Sequence, residues 1–239
     1  MDWIDDGIVL SARKHGEAAA IVTLLTRGHG RHAGLVRGGA GSRARGLYQP
    51  GNLLRATWRA RLSEHLGNYT CELMRSHAAA VLDDPLPLLA LSAACTMVET
   101  ALPEREPHGT LFESLSALVA GLSRDGWAAR YVRWELSFLA ELGFGLDLSS
   151  CAATGVNDGL AFVSPKSGRA VSAGAGAPYA DRLLALPAFL LDERDEPPAA
   201  RDLAAGLKLT GFFLASHVFT PERRSLPAAR ERLQIAFAA

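Results

Sequence analysis

The sequence predicts an α+β chain, with a small β-barrel at the N-terminus followed by a mainly α-helical region. Three observations carry that prediction. Residues 1–80 hold short β-branched runs separated by glycine-containing turns. From residue 81 onward apolar residues recur at helical spacing. The two segments also differ in charge: residues 1–80 carry eleven Lys/Arg and six Asp/Glu, a net of +5, and residues 81–239 carry −5.

The strands come in order. Gly7–Ser11 is the first, and Lys14-His15-Gly16-Glu17 a turn. Ala20–Thr26 is the second, and Arg27-Gly28-His29-Gly30-Arg31 has the glycines of a hairpin loop. His32–Arg37 returns. Gly38–Gly46 has four glycines and no large apolar residue, the composition of a mobile loop. Leu53–Leu62 alternates in part and reads as a fourth strand with arginines on one side; Tyr69–Leu73 is the fifth. Five short strands in so little chain suggest a five-stranded OB-fold barrel.

Helices follow. Asp84 is placed to cap a helix that begins at Pro85 and runs to about Leu102. Others are expected at Gly109–Ser123 and Trp127–Leu142, the latter stopped by Gly143 and Gly145. Residues 146–177 read as irregular, with one strand-like piece at Leu160–Val163. Helix is expected again at Ala180–Leu186, Ala199–Val218 and from Pro227, and Arg194–Pro198 reads as a solvated turn. The domains expected are 1–80, the barrel, and 81–239, the helical region with 146–177 as an insert.

Composition narrows the function. No apolar run reaches the ~18 residues of a membrane span, and Met1–Asp6 is acidic where a signal peptide is basic. A cytoplasmic, nucleoid-associated location is expected. Cys71, Cys95 and Cys151 are too few and too scattered for a disulfide framework, and read as small apolar residues. Phosphate-loop, dinucleotide, zinc-protease and serine-hydrolase motifs are missing. The expectation is a non-enzyme with no cofactor and no metal. His29 and His32 are three apart but lie in a turn with no carboxylate near in sequence. Ser164–Arg169 is a basic turn that fits a solvated loop or a phosphate contact.

The positive signal is arginine. Arg27 to Arg61 holds eight arginines and no acidic residue. Arg31, Arg37, Arg43, Arg45, Arg55, Arg59 and Arg61 are the candidate DNA contacts. Their forked guanidinium suits phosphate oxygens, and glycines let backbone approach a phosphate chain. Tyr48, beside the basic loop, is the candidate for stacking a base. A solvated basic face is the alternative for the set. A basic barrel that binds an acidic protein is the alternative function.

Several stretches resemble the RecO family of bacterial recombination mediators and DNA repair proteins. Gly16-Glu17, Leu24-Leu25-Thr26, Gly30-Arg31 and Val36–Ala40 are similar to its N-terminal signature, and Leu47-Tyr48-Gln49-Pro50 to the element after its basic loop. Arg133–Leu136, Leu142–Leu148 and Cys151-Ala152 are similar to its helical-domain signature, and Ser164–Ser172 to a segment of one subset. The resemblance implies an OB-fold followed by a helical domain. It implies binding to single- and double-stranded DNA, strand annealing, partnership with RecR, contact with the acidic C-terminal tail of single-stranded-DNA-binding protein, and help in loading RecA. Arg133, with Arg130 one turn away, is the candidate for the acidic tail. Some members hold zinc with four cysteines in the helical domain. Here Cys151 stands alone and Thr154 takes the place of the second ligand, so the insert is expected to be a degenerate, metal-free form of that finger.

Overall fold

The computed structural model describes residues 1–191 and 198–238. Most of the turn expected at Arg194–Pro198 lies outside the described residues. The chain divides into two compact units, Met1–Ser123 and Arg124–Ala239.

In the first unit, β1 (Asp2–His15), β2 (Ala19–Thr26), β3 (Gly30–Val36), β4 (Leu53–Arg59) and β5 (Asn68–Arg75) pair in the order β1-β2-β3-β5-β4, with β4 returning to β1. The closure between β3 and β5 is thin: one parallel pair, Leu35 with Asn68. All other pairings are antiparallel. This is the partly open five-strand ring of an OB-fold. Strand period explains it. On β4, Leu54, Ala56 and Trp58 point inward, while Arg55 and Arg59 point out. The inward set joins Val9, Val22, Leu24, Val36 and Tyr69 in one core. Gly34 makes room for it: a Cβ there would collide with the Tyr69 ring.

β1 is longer than the expected Gly7–Ser11. Its acidic start looks unlike a strand, but Asp2 to Ile8 pair with β4, and a bulge between Val9 and Ser11 interrupts its pairing with β2. The fourth strand stops at Arg59 rather than Leu62. Gly38–Gly46, expected as a loop, is not irregular throughout. The Ala40 N–H donates to the Ala18 carbonyl, and residues from Ser42 form a short helix, α1 (Ser42–Leu47). Buried Asn52 fastens its end, donating to the carbonyls of Gly46 and Leu47 and accepting from the Ala78 N–H.

Two helices complete the unit. In α2 (Pro85–Ala101) the Asp84 carboxylate accepts from the Leu86 N–H, 3.3 Å, and Pro85 opens the first turn. Its buried face includes Ala94, Cys95 and Val98, and the Cys95 thiol donates to the Val9 carbonyl. α3 (Gly109–Gly121) buries Leu111, Phe112, Leu115, Leu118 and Val119.

The second unit opens with α4 (Trp127–Glu141). The segment expected to be irregular holds β6 (Leu160–Val163), β7 (Ala170–Ser172) and the short α5 (Ala173–Gly176). The helix expected at Ala180–Leu186 is instead a 3₁₀ stretch, Ala177–Arg182, followed by β8 (Leu184–Ala185), which pairs with β6. Two residues of β8 are too few to show a strand period. α6 (Ala200–Phe213) continues as a π-helical segment, Leu214–Phe219, and α7 (Ala228–Ala238) closes the chain.

At the centre of this unit a buried Arg230–Glu135 pair ties α7 to α4. Arg230 Nη2 donates to Glu135 Oε2 at 2.9 Å and to the Leu207 carbonyl at 2.7 Å, and the Thr210 hydroxyl donates to the same Oε2. Burial alone would lower the Arg230 pKa; the Glu135 carboxylate outweighs it and holds the guanidinium charged.

Candidate nucleic-acid interface

The acid-free arginine run is not acid-free in three dimensions. Arg55 Nε meets Asp6 at 2.7 Å, and Glu72 lies directly opposite on β5. Arg59 faces Asp2 across the same β1–β4 pairing. Strand pairing thus sets three acids of β1 and β5 against the outward arginines of β4.

Arg31 is also committed. Its Nε donates to the Leu102 carbonyl at 2.9 Å and its Nη1 reaches Glu104 at 3.3 Å. Arg27 pairs with Glu113 and lies 4.6 Å over the Phe112 ring. These two arginines hold the β2–β3 hairpin to the residues that follow α2.

Three of the candidates remain. Arg37, Arg45 and Arg61 are exposed, and among the described residues no carboxylate pairs with them. Arg43 sits on α1, and its side chain lies outside the described part. Arg37 lines a 400 Å³ recess at the thin β3–β5 closure, with Asn68, Tyr69, Thr70 and Cys71. Arg45 lines a larger cleft of 780 Å³. Leu10, Ser11, Ala12 and Lys14 of β1, the Gly39-Ala40 backbone, and Thr96 and Glu99 of α2 line it too. Lys14 and Glu99 had no signal in the sequence, because the cleft gathers segments far apart along the chain.

Tyr48, expected to stack a base, is only 5% exposed and packs in the barrel core, although it borders both the cleft and the recess. Burial raises its hydroxyl pKa well above the usual value. The apolar positions of the barrel reach it because α1 swings it inward.

The two histidines of the hairpin do have a carboxylate nearby: His29 Nδ1 lies 3.0 Å from Asp5 Oδ2. They part ways nonetheless. His29 stacks on Trp3, and His32 is buried against Trp58 and Tyr69. Burial, with Arg105 nearby, lowers the His32 pKa to about 4.

In the second unit, Arg133 donates from Nε and Nη2 to the Phe189 carbonyl at 3.1 and 2.8 Å. Arg130 donates to the carbonyls of Arg124 and Asp125 before α4. Each guanidinium thus holds local backbone.

Two family models match the chain: Recombination protein O N terminal over residues 1–77, and Recombination protein O C terminal over 82–227. The chain belongs to the RecO family of DNA repair proteins. The relatives called DNA repair protein RecO include that of Rhodospirillum centenum, 56% identical over 97% of this chain and 93% of the relative. That of Rhodospirillum rubrum is 52% identical over 97% and 94%. That of Methylorubrum populi is 51% identical over 97% and 96%. The two RecO models part between residues 77 and 82, whereas α2 and α3 belong to the same compact unit as the barrel.

The zinc site of some RecO members does not fit these residues. Cys151 Sγ accepts the Ser172 N–H at 3.2 Å, and hydrogen bonds from Ser172 and Thr154 pull the thiol down to about 6. Among the described residues no three His, Cys, Asp or Glu side chains gather as metal ligands. Backbone bonds hold the insert instead, such as Ala152 N–H to the Ala170 carbonyl and Ala170 N–H to the Asp147 carbonyl. Among the described residues no helix is long and apolar enough to cross a membrane.

Proposed function

We propose that the chain is a non-enzymatic recombination mediator. It binds single- and double-stranded DNA through the Arg37, Arg43, Arg45 and Arg61 side of the barrel, and anneals complementary strands. With RecR, it helps load RecA onto DNA coated by single-stranded-DNA-binding protein. Residues 1–80 carry the DNA contacts and residues 81–239 the partner contacts. Family membership supports the role, and the observation that carries the DNA surface is three exposed arginines with no carboxylate paired to them among the described residues: Arg45 on the 780 Å³ cleft, Arg37 on the recess at the β3–β5 closure, and Arg61. Free arginines neutralise phosphates with little sequence preference and strong salt dependence.

Arg130 and Arg133 remain the proposed contacts for the acidic tail of single-stranded-DNA-binding protein. A planar guanidinium suits the carboxylates of such a tail, and Arg133 falls in the stretch that resembles the helical-domain signature. Peptide titration against Arg133→Glu tests this: the expected result is loss of tail binding, and unchanged affinity refutes the assignment.

Anisotropy of labelled single and double strands over a salt series tests the main reading. Binding that weakens steeply with salt supports it. Absence of DNA binding at low salt overturns it, as does cleavage of the labelled DNA in magnesium.

A further inference from the structure

In the second unit, three stacked rings run from the core to the surface beside the basic turn Ser164–Arg169. Phe213 on α6 is buried and stacks on His217, 5.7 Å between centroids and 11° between planes. His217 stacks in turn on Phe144 at 5.6 Å and 24°. Phe144 is 40% exposed. With Leu146 and the turn residues Lys166, Ser167 and Gly168, these rings line a recess of 140 Å³.

Each part is held in place. Phe213 and His217 are four apart and so neighbours along the helix. The helix widens there into its π-helical segment, with the Thr220 N–H on the Ala215 carbonyl at 2.9 Å. Such widened turns recur at functional sites. The Gly168 N–H closes the basic turn on the Ser164 carbonyl at 2.9 Å, and the Asp147 N–H pins it at the Gly168 carbonyl, 3.1 Å. Gly168 has a φ of +66°, and a Cβ there would stand 3.1 Å from a Leu146 methyl, so glycine lets the turn lie against the recess.

One ring face and one cation are left open. Among the described residues no second ring and no guanidinium lies over Phe144. Arg169 pairs with Asp147 at 3.3 Å, whereas Lys166 is exposed and no carboxylate pairs with it among the described residues. No Asp or Glu lines the recess. Its 140 Å³ is well below the ~300–1,000 Å³ of sites that enclose a small organic group. An anchoring peptide side chain needs a desolvated pocket around it. A nucleobase needs only a free aromatic face with positive charge beside it.

We propose that this face takes one unpaired nucleotide of a DNA strand, its base stacked on Phe144 and its phosphate on Lys166. Stacking is open to every base and closed to a paired one, whose faces its neighbours cover. The inference rests on the DNA-binding reading and adds to it a strand contact outside the barrel, on the unit that otherwise carries partner contacts. Annealing handles two strands, and a second contact lets one chain hold both. The Ser164–Arg169 turn thereby gains a phosphate contact.

The test uses the full chain and a short single strand carrying 5-iodouracil, a base that crosslinks to stacked aromatic rings under near-ultraviolet light. Peptide mapping should place a crosslink at Phe144. Phe144→Leu keeps an apolar side chain and removes the stack. It should weaken single-strand binding about tenfold, the scale of one lost base–aromatic stack, with a smaller effect on duplex. Phe144→Trp should restore binding, and Lys166→Glu should weaken it. Absence of a crosslink at Phe144 overturns the proposal, as does equal single-strand affinity of Phe144→Leu and wild type. Loss of binding to an acidic peptide in Phe144→Leu, with DNA binding intact, makes this a protein surface and also overturns it. In each of these cases wild-type binding to DNA still stands. Wild type that binds no DNA overturns the wider reading, and this one with it.

Discussion

Arg45 and Arg55 belong to one basic run, yet folding gives them opposite roles. Arg55 lands across from Asp6 and is neutralised at 2.7 Å; Arg45 lands on α1 beside a cleft with no carboxylate paired to it. The sequence shows that an arginine is present but not which acid will face it, because Asp2 and Asp6 precede the run by more than a strand. Arg37→Ala with Arg45→Ala should therefore lower the salt slope of single-strand binding by roughly 0.7 for each phosphate no longer neutralised. Arg55→Ala should change it far less. Equal effects from Arg45 and Arg55, measured over the same salt series, would contradict the placement.

His32 makes a second residue-scale case. In the sequence it is one of two turn histidines; in the fold it is a core side chain with a pKa of about 4. Below the ordinary histidine value of about 6.5 the unfolded chain takes up a proton that the native state refuses. Stability is then full above that value and falls as pH drops toward 4. Urea unfolding between pH 7 and 4.5 should show this decline, and His32→Gln should flatten it. A wild type as stable at pH 5 as at pH 7 would contradict the buried neutral ring.

At the scale of elements, legibility followed period. β2, β3 and β5 and the helices α2, α3 and α4 lie close to where alternation, caps and apolar spacing put them. The acidic start of β1 hid its strand because its partners are distant in sequence: Asp2 and Asp6 face Arg59 and Arg55, and Asp5 meets His29. α1 was hidden by the glycines before and within it, and what holds it is Asn52, a buried polar residue whose partners Gly46, Leu47 and Ala78 no local pattern reveals. Asn52→Ala leaves those backbone groups without their bonds and should cost about 1–3 kcal/mol. Chemical denaturation measures it, and a destabilisation under about half a kcal/mol would mean that α1 holds without this anchor.

The second unit carries its own element-scale lock. Glu135, Thr210 and Arg230 come from three helices and meet out of water. Removing one partner strands a buried charge. Glu135→Ala should cost about 3–5 kcal/mol, and Glu135→Leu with Arg230→Met much less. A double variant as damaged as the single one would show that the pair is more than mutually compensating.

For the whole molecule, the charge asymmetry of the sequence takes a different form in the fold. Residues 1–80 hold a surplus of +5, but the compact unit to residue 123 carries twelve Lys/Arg and twelve Asp/Glu. Glu99, Glu104 and Glu113 account for the difference in part by pairing with Arg13, Arg31 and Arg27. Neutrality on average leaves a separated pattern, with Arg45 on α1 and Arg37 at the β3–β5 closure exposed and without a paired carboxylate among the described residues. That pattern, more than net charge, is what a DNA strand would meet.

Annealing of complementary strands tests the central claim most directly, with bare strands and with strands coated by single-stranded-DNA-binding protein. The wild type should accelerate annealing in both settings, and Arg37→Ala with Arg45→Ala should lose most of that acceleration while keeping its fold. Annealing no faster than without the protein would contradict the claim, and so would a double variant as fast as wild type.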